Sequence, residues 1–173
     1  MNATRFCLSF AAGLVLALAP QFAAAQQDAG AKIRGDVYWP SRAASRYVES
    51  ARNYAQEVQT YVAKTPQPEP SVVKEIKATL GNYLEEAQKH YATMKKDFAT
   101  DKEAVAAIEN LEKELAAAIE HNKAMITCCE KEKFDKIATM SCCTDLVKQL
   151  DKVNGEHVAL MKKLSQKYGS ATK

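Results

Sequence analysis

Three histidines occur in the 173-residue chain, and each has a methionine four residues downstream: His90/Met94, His121/Met125 and His157/Met161. Positions i and i+4 share one face of a helix, so each pair can offer an imidazole nitrogen and a thioether sulfur to a common point. Apart from the initiator, only Met140 stands outside this pattern, two residues before Cys142-Cys143. A second thiol pair, Cys128-Cys129, follows Met125 by three. Imidazole, thioether and thiolate together form the donor set that suits copper, above all Cu(I). The expected chemistry is therefore metal binding. His90, Met94, His157 and Met161 are expected to form one buried cluster, with His121 and Met125 at a second position near the thiols.

The thiols carry a competing expectation. Four cysteines remain once Cys7 is set aside, an even number, and opposed pairs on a helical hairpin form interhelical disulfides in an oxidising compartment. Folding about a connection centred between residues 135 and 136 sets Cys128 opposite Cys143 and Cys129 opposite Cys142. Bridging 128–143 with 129–142, or 128–142 with 129–143, avoids the strained link between adjacent residues. Disulfide and thiolate-metal readings both stand for Cys128, Cys129, Cys142 and Cys143.

Other chemistries lack their residues. There is no C-x-x-C-H for haem attachment, no Glu-x-x-His for a di-iron bundle, and no G-x-S-x-G, P-loop or H-E-x-x-H. No acid–base or nucleophile constellation stands out, and the chain is not expected to be an enzyme. Its charges are interleaved without a basic stripe, so nucleic acid is not an expected partner.

The start of the chain bears on where this chemistry would operate. Arg5, an apolar run from Phe10 to Ala19, Pro20, and Ala23-Ala24-Ala25 before Gln26 read as a secretory signal over residues 1–25. Its removal leaves 23 basic and 21 acidic residues in a chain expected to be periplasmic or secreted. The apolar run is too short to span a bilayer, and no later stretch is long enough, so the mature form is expected to have no membrane partner.

Four apolar stripes with helical period must position the candidate ligands. Residues 26–40 read as a flexible leader, with Trp39 covering one end of the core. The first helix, from about Ser41 to Lys64, carries Tyr47, Tyr54 and Tyr61 at heptad spacing and ends before Pro66, Pro68 and Pro70. A second begins with Ser71 as its N-cap and shows Ile76, Leu80, Leu84, Ala87, His90, Met94 and Phe98. Thr100 to Glu103 fits a capping box opening a third helix that runs to about Glu130. Residues 131–139 read as a charged connection. The fourth helix, from about Ser141 to Tyr168, carries Cys143, Leu146, Leu150, Val153, His157, Leu160 and Leu164, with Asn154-Gly155 as a potential break. Residues 169–173 form a polar tail. Helices of similar length with short connections imply an all-α fold, an antiparallel up-down-up-down four-helix bundle over residues 41–168.

Met125, Cys128-Cys129, Met140 and Cys142-Cys143, borne on exported antiparallel helices, give the chain a resemblance to the copper-storage four-helix-bundle proteins. That resemblance implies a bundle holding Cu(I) through soft side chains. Those proteins line much of the bundle interior with cysteine, whereas this chain has four at one end, which implies a small site. The sequence thus leads to an exported, non-enzymatic bundle that binds a soft metal, copper first. A disulfide-stapled interaction protein without metal is the alternative.

Overall fold

The computed structural model describes residues 38–131 and 134–169. The expected signal segment, nearly all of the leader and most of the tail lie outside the described residues. Four helices account for almost all of the rest: α1 (Trp39–Lys64), α2 (Pro70–Asp97), α3 (Lys102–Cys129) and α4 (Lys136–Gly169).

The stripes read from the sequence are the buried faces. α1 contributes Ala44, Val48, Ala51, Ala55, Val58 and Val62, all small side chains that let the neighbouring helices approach closely. α2 contributes Ile76, Leu80, Leu84, Ala87, Tyr91 and Met94, and α3 contributes Ile108, Leu111, Leu115, Ala118 and Met125. α4 completes the core with Cys143, Leu146, Leu150, Val153, Leu160 and Leu164. Removing each large aliphatic side chain from water stabilises the fold by about 1.5–3 kcal/mol before entropy is counted.

Each helix packs on two others: α1 on α2 and α4, and α3 on α2 and α4. The partners across every interface run in opposite chain directions. On α1 and α4, Ser41 meets His157, Ser45 meets Asn154 and Gln59 meets Thr144. Between α1 and α2, Tyr47 meets His90 and Tyr54 meets Tyr83. Lys95 reaches Glu109 and Glu112 across α2–α3, while Lys77 reaches Glu130. Asn110 pairs with Glu156, Gln149 with Glu114, and Met125 with Cys143 across α3–α4. The expected four-helix bundle is therefore what forms.

Its helix ends depart from the sequence reading for local reasons. α4 begins five residues early, at Lys136, because the Asp135 carboxylate accepts the Ala138 N–H at 2.9 Å, a side-chain cap. Much of the supposed connection 131–139 is thus helical. α2 starts at Pro70, with Glu69 rather than Ser71 at the N-cap position, since the fixed φ of proline suits the first helical residue. At the start of α3, Asp101 caps alone, accepting from the N–H groups of Glu103 and Ala104; Thr100 takes no part in the cap. α4 passes through Asn154-Gly155 without interruption, because burial of Val153 and His157 on either side outweighs two weak helix formers.

The two ends of the bundle differ. At one, Phe98 lies between Tyr38 (5.3 Å between centroids) and Tyr168 (5.9 Å). Tyr38 and Tyr168 donate their phenolic hydrogens to Asp97 and Asp101. Tyr38 rather than Trp39 covers this end of the core: Trp39 is 58% exposed. The other end is where the thiols gather.

Candidate functional site

α3 and α4 bring their sulfur atoms together because Cys128-Cys129 end α3 at the shared loop and Cys142-Cys143 lie about two turns into α4. Met125 and Cys143 are fully buried, and Cys143 Sγ donates to Met125 Sδ at 3.3 Å. Cys128 and Cys142, both half-buried, are hydrogen-bonded across the helix pair. Cys129 is buried and paired with Thr139, a partner that the sequence reading placed in a loop. Met140 packs, half-buried, against the core. Cys128 therefore answers Cys142, and Cys143 meets Met125, where the sequence reading set Cys128 opposite Cys143.

Burial governs the chemistry of these thiols. Desolvation pushes Cys143 up to about 12, with Cys129 and Cys142 adding to the effect. Cys129 rises to about 11, mainly by burial, with Cys128 next and the Thr139 hydrogen bond opposing. Cys142 is also raised, by burial first and then by Cys128. As free thiols Cys129, Cys142 and Cys143 are therefore protonated at neutral pH. All four are free in the structure, and no pair lies at disulfide distance. A cleft of about 700 Å³, lined by Pro68, Val73, Lys77, Cys129 and Glu130 among others, opens beside Cys129.

The histidines occupy separate settings. His121 is half-buried one turn before Met125 on α3. His90, also half-buried, stacks on Tyr47 at 5.6 Å with 15° between the rings. His157 is 3% exposed, its Nε2 is 3.0 Å from Ser41 Oγ, and its ring lies 5.7 Å from that of Tyr91. Met94 is fully buried and Met161 half-buried. His90 thus faces α1 from α2, while His157 faces α1 from α4 and reaches Tyr91 across the core. Ser41 and Tyr91 escaped the sequence reading. Ser41 is buried at 4%, and its only sequence signal is a small polar residue on the apolar stripe that leads to Ala44 and Val48.

Burial alone lowers the imidazole of His157 to about 4, so it is neutral at physiological pH. Its Nδ1 and the Tyr91 hydroxyl are both buried without a hydrogen-bond partner, as is Asn122 Oδ1 on α3. Among the described residues, no group of three or more His, Cys, Asp or Glu side chains is placed to hold a metal ion. Thioethers are not part of that set. Nor is any described helix long and apolar enough to cross a membrane.

The fold and this site define a four-helix bundle with a buried sulfur cluster at one end and a buried neutral histidine toward the other. No family model, curated protein or solved structure matches the chain.

Proposed function

We propose that this protein is an exported, non-catalytic helical bundle that binds a soft metal ion, copper(I), for sequestration or delivery. The observation that carries the reading is the contact of Met125 Sδ with Cys143 Sγ, two soft donors 3.3 Å apart in a dry core. Cys128 and Cys142 pair beside them, and His121 lies one turn away on the same helix. Thiolate and thioether together favour Cu(I) over harder ions. Paired donors suit an ion that accepts few ligands better than zinc, whose structural sites take four. His157 already engages Ser41, and His90 stacks on Tyr47, so these two imidazoles are the weaker part of the donor set. Copper would displace the one Cys143 thiol proton to solvent, and the S–H contact would give way to a bond from the metal to each sulfur.

The test is a Cu(I) titration against a chromophoric competitor. Met125→Leu and Cys143→Ala are expected to weaken binding by at least about tenfold each, the loss of one good ligand. His90→Ala should leave it unchanged. Absence of competition by the reduced wild-type protein would refute copper binding.

A second reading is supported by the Cys128–Cys142 contact: exchange with an external disulfide, which takes up the two electrons and both thiol protons as two thiols, would join α3 to α4 by one disulfide, giving a stapled interaction protein. Mass spectrometry of the protein isolated without reductant distinguishes the two. A quantitative 128–142 bridge with no metal favours the staple.

A further inference from the structure

Met125 Sδ and Cys143 Sγ are 3.3 Å apart, and both residues are 0% exposed. A metal held there needs a path from solvent. We infer that Cys128 and Cys142, on the outer seam between α3 and α4, are the entry port that takes Cu(I) from a soft-ligand carrier and passes it inward. The inference rests on the copper reading above and gives the outer thiols a transfer role distinct from final binding.

Three observations converge on the seam. First, Cys128 repeats the helix position of Asn110, and Cys142 nearly that of Gln149. Asn110 and Gln149 cross between α3 and α4 outside the core, meeting Glu156 and Glu114. The two thiols therefore meet along that same outward line, each half-buried, as a two-sulfur pair at the surface. Second, each outer sulfur has an inner donor on its own helix: Cys142 immediately precedes Cys143, and Cys128 follows Met125 by about one turn. Third, the Asp145 carboxylate acts on Cys142 more strongly than the opposing Lys131 ammonium does, and that field attracts a cation. The cleft beside Cys129 is the poorer route. Among the described residues that line it, Cys129 supplies the one sulfur and is engaged with Thr139, while Lys74, Lys77 and Lys131 surround it with Glu130 as the one acid.

Transfer is ligand exchange without electron flow, and copper stays Cu(I). As bonds to Cys128 and Cys142 form, the carrier's bonds break and both thiol protons leave to solvent. On passage inward, bonds to Met125 and Cys143 form and the outer bonds break. The Cys143 proton restores one outer thiol and solvent restores the other, so one proton is released overall.

The test is stopped-flow transfer of Cu(I) from its complex with a chromophoric chelator to the reduced full chain, read as rate and as end point. Cys128→Ser with Cys142→Ser should slow uptake by about tenfold or more, because the local concentration of transferable metal is lost. The end-point affinity should stay within about threefold, since neither thiol binds copper in the final site. Cys128→Ser alone, a smaller change to the packing, should shift the rate in the same direction. A wild-type rate in both variants, or an end point that falls as far as in Cys143→Ala, would overturn the entry role while leaving copper binding intact. Failure of the wild-type chain to take up any Cu(I) would overturn the copper reading and the port with it.

Discussion

Replacement of His157 by glutamine isolates the energetic consequence of burying a neutral imidazole. The wild-type ring is lowered to about 4 by burial, against 6.5 in an exposed chain. Between those values the unfolded chain binds a proton that the folded chain refuses. Stability linked to His157 is therefore complete above about pH 6.5 and is lost progressively as pH falls toward 4. Lowering the pH from about 7 to about 4.5 should remove roughly 2 kcal/mol by this route, out of a limit of about 3 kcal/mol set by the whole pKa difference. With 3% of the residue exposed, solvent screening does little to reduce the effect. Glutamine can keep a hydrogen bond to Ser41 and does not titrate. Urea unfolding of both proteins at the two pH values is the assay, and other titrating groups cancel in the difference. Wild type should lose about 2 kcal/mol more than His157→Gln over this range. Parallel losses, equal within about 0.5 kcal/mol, would show that the folded protein protonates His157 and would refute the burial argument.

Two further substitutions test the fold. Tyr91→Phe removes a fully buried hydroxyl that has no partner, and should leave stability unchanged or raise it by up to about 1 kcal/mol in urea titrations. A loss above about 1 kcal/mol would mean that the hydroxyl is satisfied in solution. Asp101→Ala should cost about 2–3 kcal/mol, since one carboxylate caps α3 and ties down Lys167 and Tyr168. Burial works against the Asp101 carboxylate, but the bonds from Lys167, Tyr168 and Ala104 outweigh it and hold its pKa below the usual value. Its contribution is therefore present above about pH 4 and disappears only in stronger acid, below the window in which His157 acts.

Much of the fold was legible because burial repeats with the helical period. The stripes through Leu80 and Leu84, Leu111 and Leu115, and Leu146 and Leu150 identify helix faces with no knowledge of their neighbours. Short connections then leave sequential helices little choice but to lie side by side. The thiol end was legible for the same reason: Cys128-Cys129 and Cys142-Cys143 sit close to one loop, and a hairpin must bring them together.

Helix boundaries and partners were less legible. Asp135 carries an N-cap signal of its own, but the charged run around it masked that signal, so α4 begins five residues before the boundary read from the sequence. The His/Met spacing specified which residues share a helix face and not which way that face turns. Met94 and Met125 face the core, whereas His90, four residues before Met94, stacks on Tyr47 at the α1–α2 boundary. Sequence by itself determined the helices, their buried stripes and the sulfur-rich end, because these follow from periodicity and from proximity along the chain. Only the tertiary structure decided that Met125 meets Cys143, that Cys128 meets Cys142, and that His157 is held by Ser41 from 116 positions away. Those contacts depend on the rotation and axial offset of one helix against another. Packing across the whole interface sets both quantities, and no local pattern encodes them.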